Sequence, residues 1–414
     1  MNMAKFALLG FIMFAFSSCA ASDGEDNFGY EAAEVYLEEP PQAPQSIRLA
    51  LEVSVEPAPL EPAQGVLTGI YLRQDQTVSG VSDFETQIGV EHSIFAYSIF
   101  LGEEYPLFFV LESIANRKIP MLTIHAPQEF DVNHIYKLAE DIGRFNVPIL
   151  INFLPILGES SFSPTEYIGI FRHARQTFYK HAPNATLIWG IDTDNLFTAA
   201  HFFPGEGYVD WVSLTIYDDV DEYGNFGDFF KYIDFLNVSF QRMAPLMIIT
   251  AVSHHNFATN TYFAIQARDR LWYIYGGLLA YPRIKAIVYQ NYAYIDRQQN
   301  IGQNYIISGS SLVEEAYRIA LNRPELEVYL PREPHTRRIL INSLFTAIEY
   351  NGRFYVPHRT LVYDMNFPNM QQFLGREVFF GDQIYYSIAD VNRIAGADFF
   401  VDRENAMFVL QIID

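Results

Sequence analysis

The sequence predicts an α/β fold, a (β/α)8 TIM barrel followed by a small α+β domain, and three observations predict it. Short β-branched or aromatic runs alternate with segments of helical period from Gly65 onward. Several runs are apolar at consecutive positions, as in Ile149-Leu150-Ile151, which suits parallel strands buried on both faces. Eight such units in about 260 residues match the size of a barrel, and after Pro324 the rhythm changes to hairpins. A doubly wound open sheet would show the same alternation, but no glycine-rich phosphate turn follows the first run.

The elements follow in chain order. Lys5 precedes an apolar run, Phe6 to Phe16, and then Ser17-Ser18-Cys19-Ala20. This is the plan of a secretory signal, too short to span a bilayer. Small residues before a cysteine also resemble the bacterial lipobox. That resemblance makes 1–19 a lipoprotein-type signal peptide and Cys19, the chain's single cysteine, the lipidation site. Residues 20–62 hold ten acidic residues against one basic one, Arg48, and are rich in proline. Residues 20–64 are therefore expected to form an extended acidic linker.

The barrel is expected over 65–323. Its strand candidates are Val66–Leu72, His92–Phe100, Pro120–His125, Pro148–Leu154, Thr186–Ile191, Val209–Tyr217, Leu246–Ala251 and Ile284–Tyr289. Helical periodicity covers Tyr105–Lys118, Asn133–Phe145, Thr165–His181, Phe226–Met243, Thr259–Ala280 and Ser311–Leu321, with weaker signals at 82–89 and 196–203. From 324 to 414 come short strands at Ile339–Asn342, Phe345–Tyr350, Arg353–Pro357 and Met407–Ile412. Asn351-Gly352 is a hairpin turn signal between two of them. The plan repeats: a hairpin, a short helix, a strand.

Composition narrows the function. A formal charge of −22 argues against nucleic acid, whose phosphates need a basic stripe. Barrel active sites lie where strands end and βα loops begin. Here those ends carry His125, Asp192, Asp194, Tyr217, Asp218, His254, Gln290, Asn291 and Tyr292. With 16% aromatic residues and so acidic a mouth, sugars suit it better than phosphorylated substrates. His254-His255 is a weak metal signal, because adjacent strand residues point apart and zinc needs three or four ligands. No cofactor is expected.

Several segments together resemble glycoside hydrolase family 26, the β-mannanase-type retaining barrels. They are Gly69-Ile70-Tyr71, Phe84-Glu85 with Gly89, Pro120-Met121-Leu122-Thr123, Phe203-Pro204-Gly205-Glu206-Gly207-Tyr208-Val209-Asp210-Trp211-Val212 and Ile284-Lys285-Ala286-Ile287-Val288-Tyr289. The resemblance implies an acid/base glutamate at the end of the fourth strand and a nucleophilic glutamate at the end of the seventh, about 5–5.5 Å apart. At the matching positions stand Ile156 and Thr250, neither fit for those roles. The expectation is a degenerate hydrolase that binds or scaffolds polysaccharide. One alternative is an active retaining enzyme with relocated carboxylates, Glu159 paired with Asp192, Asp194 or Asp218. Another is a purely structural envelope protein.

The last ninety residues resemble the α+β domain named after the N-terminal stalk of copper amine oxidases, common on surface proteins of Gram-positive bacteria. The likeness rests on Asn351-Gly352-Arg353 leading into Tyr355-Val356-Pro357-His358-Arg359. It implies an interaction or spacer module without copper or quinone. Partners are thus expected to be cell-wall glycan, a membrane through the lipid anchor, and envelope proteins through the C-terminal domain. The expected location is the outer face of the bacterial cell membrane.

Overall fold

The computed structural model describes residues 43–73, 80–127, 129–158, 162–239, 244–295, 301–327, 337–404 and 406–413. The signal peptide, Cys19, the first half of the tether and Glu159 lie outside them.

A strand not foreseen comes first, β1 (Gln45–Val55). Then the barrel runs β2 (Val66–Arg73), α1 (Val81–Ile88), β3 (Ile94–Phe100), α2 (Leu107–Ala115), β4 (Ile119–His125), α3 (Asn133–Gly143), β5 (Ile149–Phe153), α4 (Pro164–His181), β6 (Ala185–Asp192) and β7 (Trp211–Asp218). It continues with α5 (Phe230–Ser239), β8 (Leu246–Val252), a small hairpin β9 (His255–Asn256) and β10 (Thr261–Tyr262), α6 (Ala264–Leu278), the long β11 (Ile284–Ile295), β12 (Ile301–Asn304) and α7 (Ser311–Leu321). β2 to β8 pair in sequence, all parallel, and β11 pairs with both β8 and β2, which closes eight strands into a barrel. The (β/α)8 expectation holds.

Alternation along the strands sorts side chains into two layers. One set fills the barrel interior: Leu67, Ile94, Met121, Leu150, Ile188, Trp211, Met247, Ile249 and Val288. The other packs outward against the helices and includes Ile70, Phe95, Ile151, Trp189, Ile191, Ile216, Ile248 and Tyr289. The outer layer also holds a buried polar seam. His92 bonds Glu85 through Nδ1 at 3.0 Å and the Tyr317 hydroxyl through Nε2 at 2.9 Å, which ties α1 to α7.

The second half of the expected linker is folded. Ala58 and Leu60 pack on the interior cluster, and Trp211 Nε1 donates to the Pro59 carbonyl at 2.8 Å. Trp211 opens β7, so this segment plugs the N-terminal end of the barrel. Upstream of it, β1 belongs to the C-terminal domain. After β13 (Leu326–Glu327) that domain runs β14 (Arg337–Asn342), β15 (Ala347–Tyr350), β16 (Arg353–Pro357), a π-type turn at Thr360–Asp364, β17 (Val378–Phe380), β18 (Gln383–Ser387), α8 (Ile388–Ala395), β19 (Ala397–Asp402) and β20 (Met407–Ile412). The hairpin-then-helix plan occurs twice. β1 sits inside the sheet, antiparallel to β15 and β14 and parallel to β20. The barrel is therefore an insertion between the first strand of this domain and the rest of it. Reading 20–64 as one linker failed because its acids and prolines masked the alternation of Ile47, Leu49, Leu51, Val53 and Val55.

Candidate functional site

The two positions matched to the family's glutamates do not face the mouth. Ile156 is 3% exposed, bridges Ile191 and packs in the helix-facing layer. Thr250 is fully buried on the same face of β8 as Ile248 and Val252, and its hydroxyl donates to the Ile216 carbonyl at 3.0 Å. The residues that do face inward at these strand ends are different. Below the end of β5 stands Asn152, with Pro155 above it: a Cβ on Gly190 of the next strand would meet Asn152 Oδ1 at 2.4 Å and Pro155 Cβ at 2.9 Å. On β8 the inward position is Ala251, paired with Tyr217. Among the described residues neither inward end carries a carboxylate; Pro155 and Ala251 stand there instead.

Asp218 also points away from the mouth. It is 6% exposed, and Arg270 of α6 grips it with Nε on Oδ2 at 2.5 Å and Nη2 on Oδ1 at 3.2 Å. Burial pushes the carboxyl upward while Arg270 pulls it down, and burial wins. This is a strand-to-helix tie, not a relocated acid. Asn291 is fully buried and accepts the Ile307 N–H at 2.7 Å, a loop anchor.

His254 is no wall residue either. It is 1% exposed, its backbone bridges Asn304 and Phe263, and its ring lies 5.9 Å from that of Tyr262. Burial, then the neighbouring His255, holds the imidazole down to about 4 from an ordinary 6.5. Its folded value is depressed, so the unfolded chain takes up the extra proton between pH 6.5 and 4. Stability is present above 6.5 and falls as pH drops through that window, by on the order of 3 kcal/mol. The fully buried His92 is lowered by burial too and acts in the same direction. We expect His254→Leu to flatten the slope of urea-unfolding stability between pH 6.5 and 4.5 relative to the parent; an unchanged slope would refute the assignment.

The mouth itself is built from tyrosines, a few acids and one histidine. Asp192 ends β6 with both oxygens engaged: Oδ2 accepts the Gly158 N–H at 2.6 Å, and Oδ1 accepts the Asn195 N–H and Nδ2 at 2.9 Å each. It fastens the loop after β5 to the loop after β6. Asp194 is exposed. Tyr217, Tyr292 and Tyr305 form a ring cluster with centroids 5.3–6.2 Å apart, and the Tyr305 hydroxyl donates to Asp219 at 2.7 Å. Burial of the hydroxyl end, then Tyr292, pushes Tyr217 well up; burial and Asp219 do the same to Tyr305. Such phenols stay protonated. They can donate hydrogen bonds and offer ring faces, but a nucleophile or base needs the opposite shift. Gln290, half-buried, continues the inward face of Val288 beside Tyr71.

On the other side of the mouth an open cleft of about 440 Å3 is lined by Tyr71, Tyr97, Ser98, Phe100, Glu103 and His125 among others. The Phe100 and His125 rings are 5.6 Å apart at paired strand ends. His125 is thus a wall residue of this cleft. Tyr71, Phe100 and Glu103 were missed, although two of them stand at strand ends, where the same rule that found His125 would have found them. Among the described residues no group of three His, Cys, Asp or Glu could hold a metal ion.

No protein-family model and no curated protein matches this chain. Among solved structures, a GH26 β-mannanase from Bacteroides ovatus aligns with TM-score 0.45 at 13% identity, over 66% of this chain and 95% of the other. An endo-1,4-β-xylanase from Caldicellulosiruptor owensensis gives 0.45 at 9% identity, over 63% and 97%. A GH128 endo-β-1,3-glucanase from Amycolatopsis mediterranei gives 0.39 at 13%, over 62% and 100%. Likeness at this level carries no chemistry across. The barrel stands on its own strand pairings, and the site on its own residues.

Proposed function

We propose that this chain is a surface lipoprotein whose barrel binds polysaccharide at its mouth and does not hydrolyse it. The observation that carries the reading is the inward face of β5 and β8, where Asn152, Pro155 and Ala251 stand in place of a carboxylate pair. Retaining hydrolysis requires two carboxyl groups flanking the bond. The aromatic cleft and the protonated tyrosines favour binding: sugar rings stack on such faces, and hydroxyls accept from phenols. The sequence resemblance to a glycosidase family points to the same ligand class. Lipid attachment at Cys19 and a place at the cell envelope follow from the lipobox-like start alone and belong to the same proposal.

The test is incubation of the full chain with plant and bacterial cell-wall polysaccharides. Pull-down on at least one glycan without new reducing ends is the expected result. Release of reducing ends that Glu159→Gln abolishes would replace this reading with a relocated-acid hydrolase. Neither binding nor release would leave a structural envelope protein.

A further inference from the structure

We propose that the glycan held in the mouth carries free amino groups, as a de-N-acetylated hexosamine chain does; this rests on the glycan-binding reading above. The site is the cleft of about 440 Å3 beside β2, β3 and β4, lined by Tyr71, Tyr97, Phe100, Glu103 and His125. Tyr97 and Phe100 are 41% and 51% exposed, so their rings are open to a ligand. Glu103 is the carboxylate of the cleft, set in place by the Phe100 N–H, which donates to its Oε2 at 2.9 Å.

Charge decides what kind of sugar fits. The loops leaving the C-terminal ends of the strands carry Glu104, Asp131, Asp194, Asp219 and Asp221, and among their described side chains there is no lysine or arginine. Arg117, Lys118, Arg144, Arg283 and Arg323 lie at the opposite end, near the strand starts, while Lys137, Lys231, Arg268 and Arg270 stand early in the helices that leave the mouth, Arg270 paired with Asp218. The described loops of the mouth are thus net acidic and face solvent with a negative field. A uronate or phosphate-bearing glycan would enter against that field. A neutral sugar would gain nothing from it. An ammonium group gains three ways: from the field, from a charge-assisted bond to Glu103, and from the faces of Tyr97 and Phe100.

The experiment is calorimetry on the full chain at pH 6, where hexosamine amines are protonated. The probes are a glucosamine hexamer, its N-acetylated counterpart, a galacturonate hexamer and a lysine hexapeptide. The glucosamine hexamer should bind at least about fivefold tighter than the acetylated one, the scale of one exposed charge pair. That preference should fall below about twofold in Glu103→Gln, while Tyr97→Ala should weaken both hexosamine ligands. Equal affinity for the two would overturn the inference and leave glycan binding standing. Tighter galacturonate binding, or a lysine peptide that binds as well as the amino sugar, would also overturn it. Failure of every oligosaccharide would remove the glycan reading with it.

Discussion

A fragment beginning at Gly65 should lose its C-terminal domain. Such a fragment looks natural, since it keeps the whole barrel and everything after it, but it lacks β1. That strand pairs with β14, β15 and β20 at once. It buries Leu49 and Leu51 in one core cluster and Ala50 against Met407 and Val409 in another. Two fully buried leucines alone are worth about 3–6 kcal/mol. Removing a central strand also strands the hydrogen-bonding edges of its neighbours. That sum approaches the whole stability of a small domain. The same truncation removes the plug at Pro59 that Trp211 bonds, so the barrel should soften as well. Limited proteolysis is the direct readout. Residues 337–412 should be cleaved rapidly in the fragment and resist in a chain beginning before Gln45, and a peptide of residues 44–56 added in trans should restore part of the resistance. Equal resistance without the peptide would show that β1 is dispensable.

How much of this was legible in the sequence depends on what each feature leans on. The eight barrel strands were readable because consecutive apolar residues such as Leu246-Met247-Ile248-Ile249 have one physical explanation, burial on both faces. Which face a residue takes was a finer question. Matching a strand to a family pattern locates it to within a residue, and a slip of one residue turns every side chain to the other side of the sheet. That is why Ile156 and Thr250 were assigned to the mouth while the structure turns both outward. Parity alone would have separated Tyr217 from Asp218, since neighbours on a strand cannot both face in. β1 was hidden by its surroundings: residue-by-residue alternation was present, but averaging over an acidic, proline-rich window erased it. Tyr305 had no local signal. It reaches Tyr217 and Asp219 only because β11 overruns the barrel and returns as β12, which is a property of the tertiary path.

The outward turn of Asp218 leads to the second large effect, at Arg270. The guanidinium lies 5.2 Å above the Phe226 ring and 5.1 Å from that of Tyr273, and its Nη2 donates to the Gly227 carbonyl at 2.6 Å. It therefore holds α6, the loop after β7 and Asp218 together. Arg270→Met keeps much of the packing volume but leaves a carboxylate that is 6% exposed without its cation. Breaking a buried pair in this way costs about 3–5 kcal/mol. Changing both partners, Asp218→Leu with Arg270→Met, removes the stranded charge and should recover most of that loss, because an apolar replacement of a buried pair is often close to neutral. Denaturant unfolding of the two single variants and the double variant measures the coupling directly. The comparison also separates structure from chemistry. If Asp218 were a relocated acid facing the mouth, Asp218→Asn would abolish a measured activity while leaving stability nearly intact. Turned to the far side of β7, where no ligand in the cleft can reach it, the carboxylate should instead cost stability when changed and leave glycan affinity unchanged.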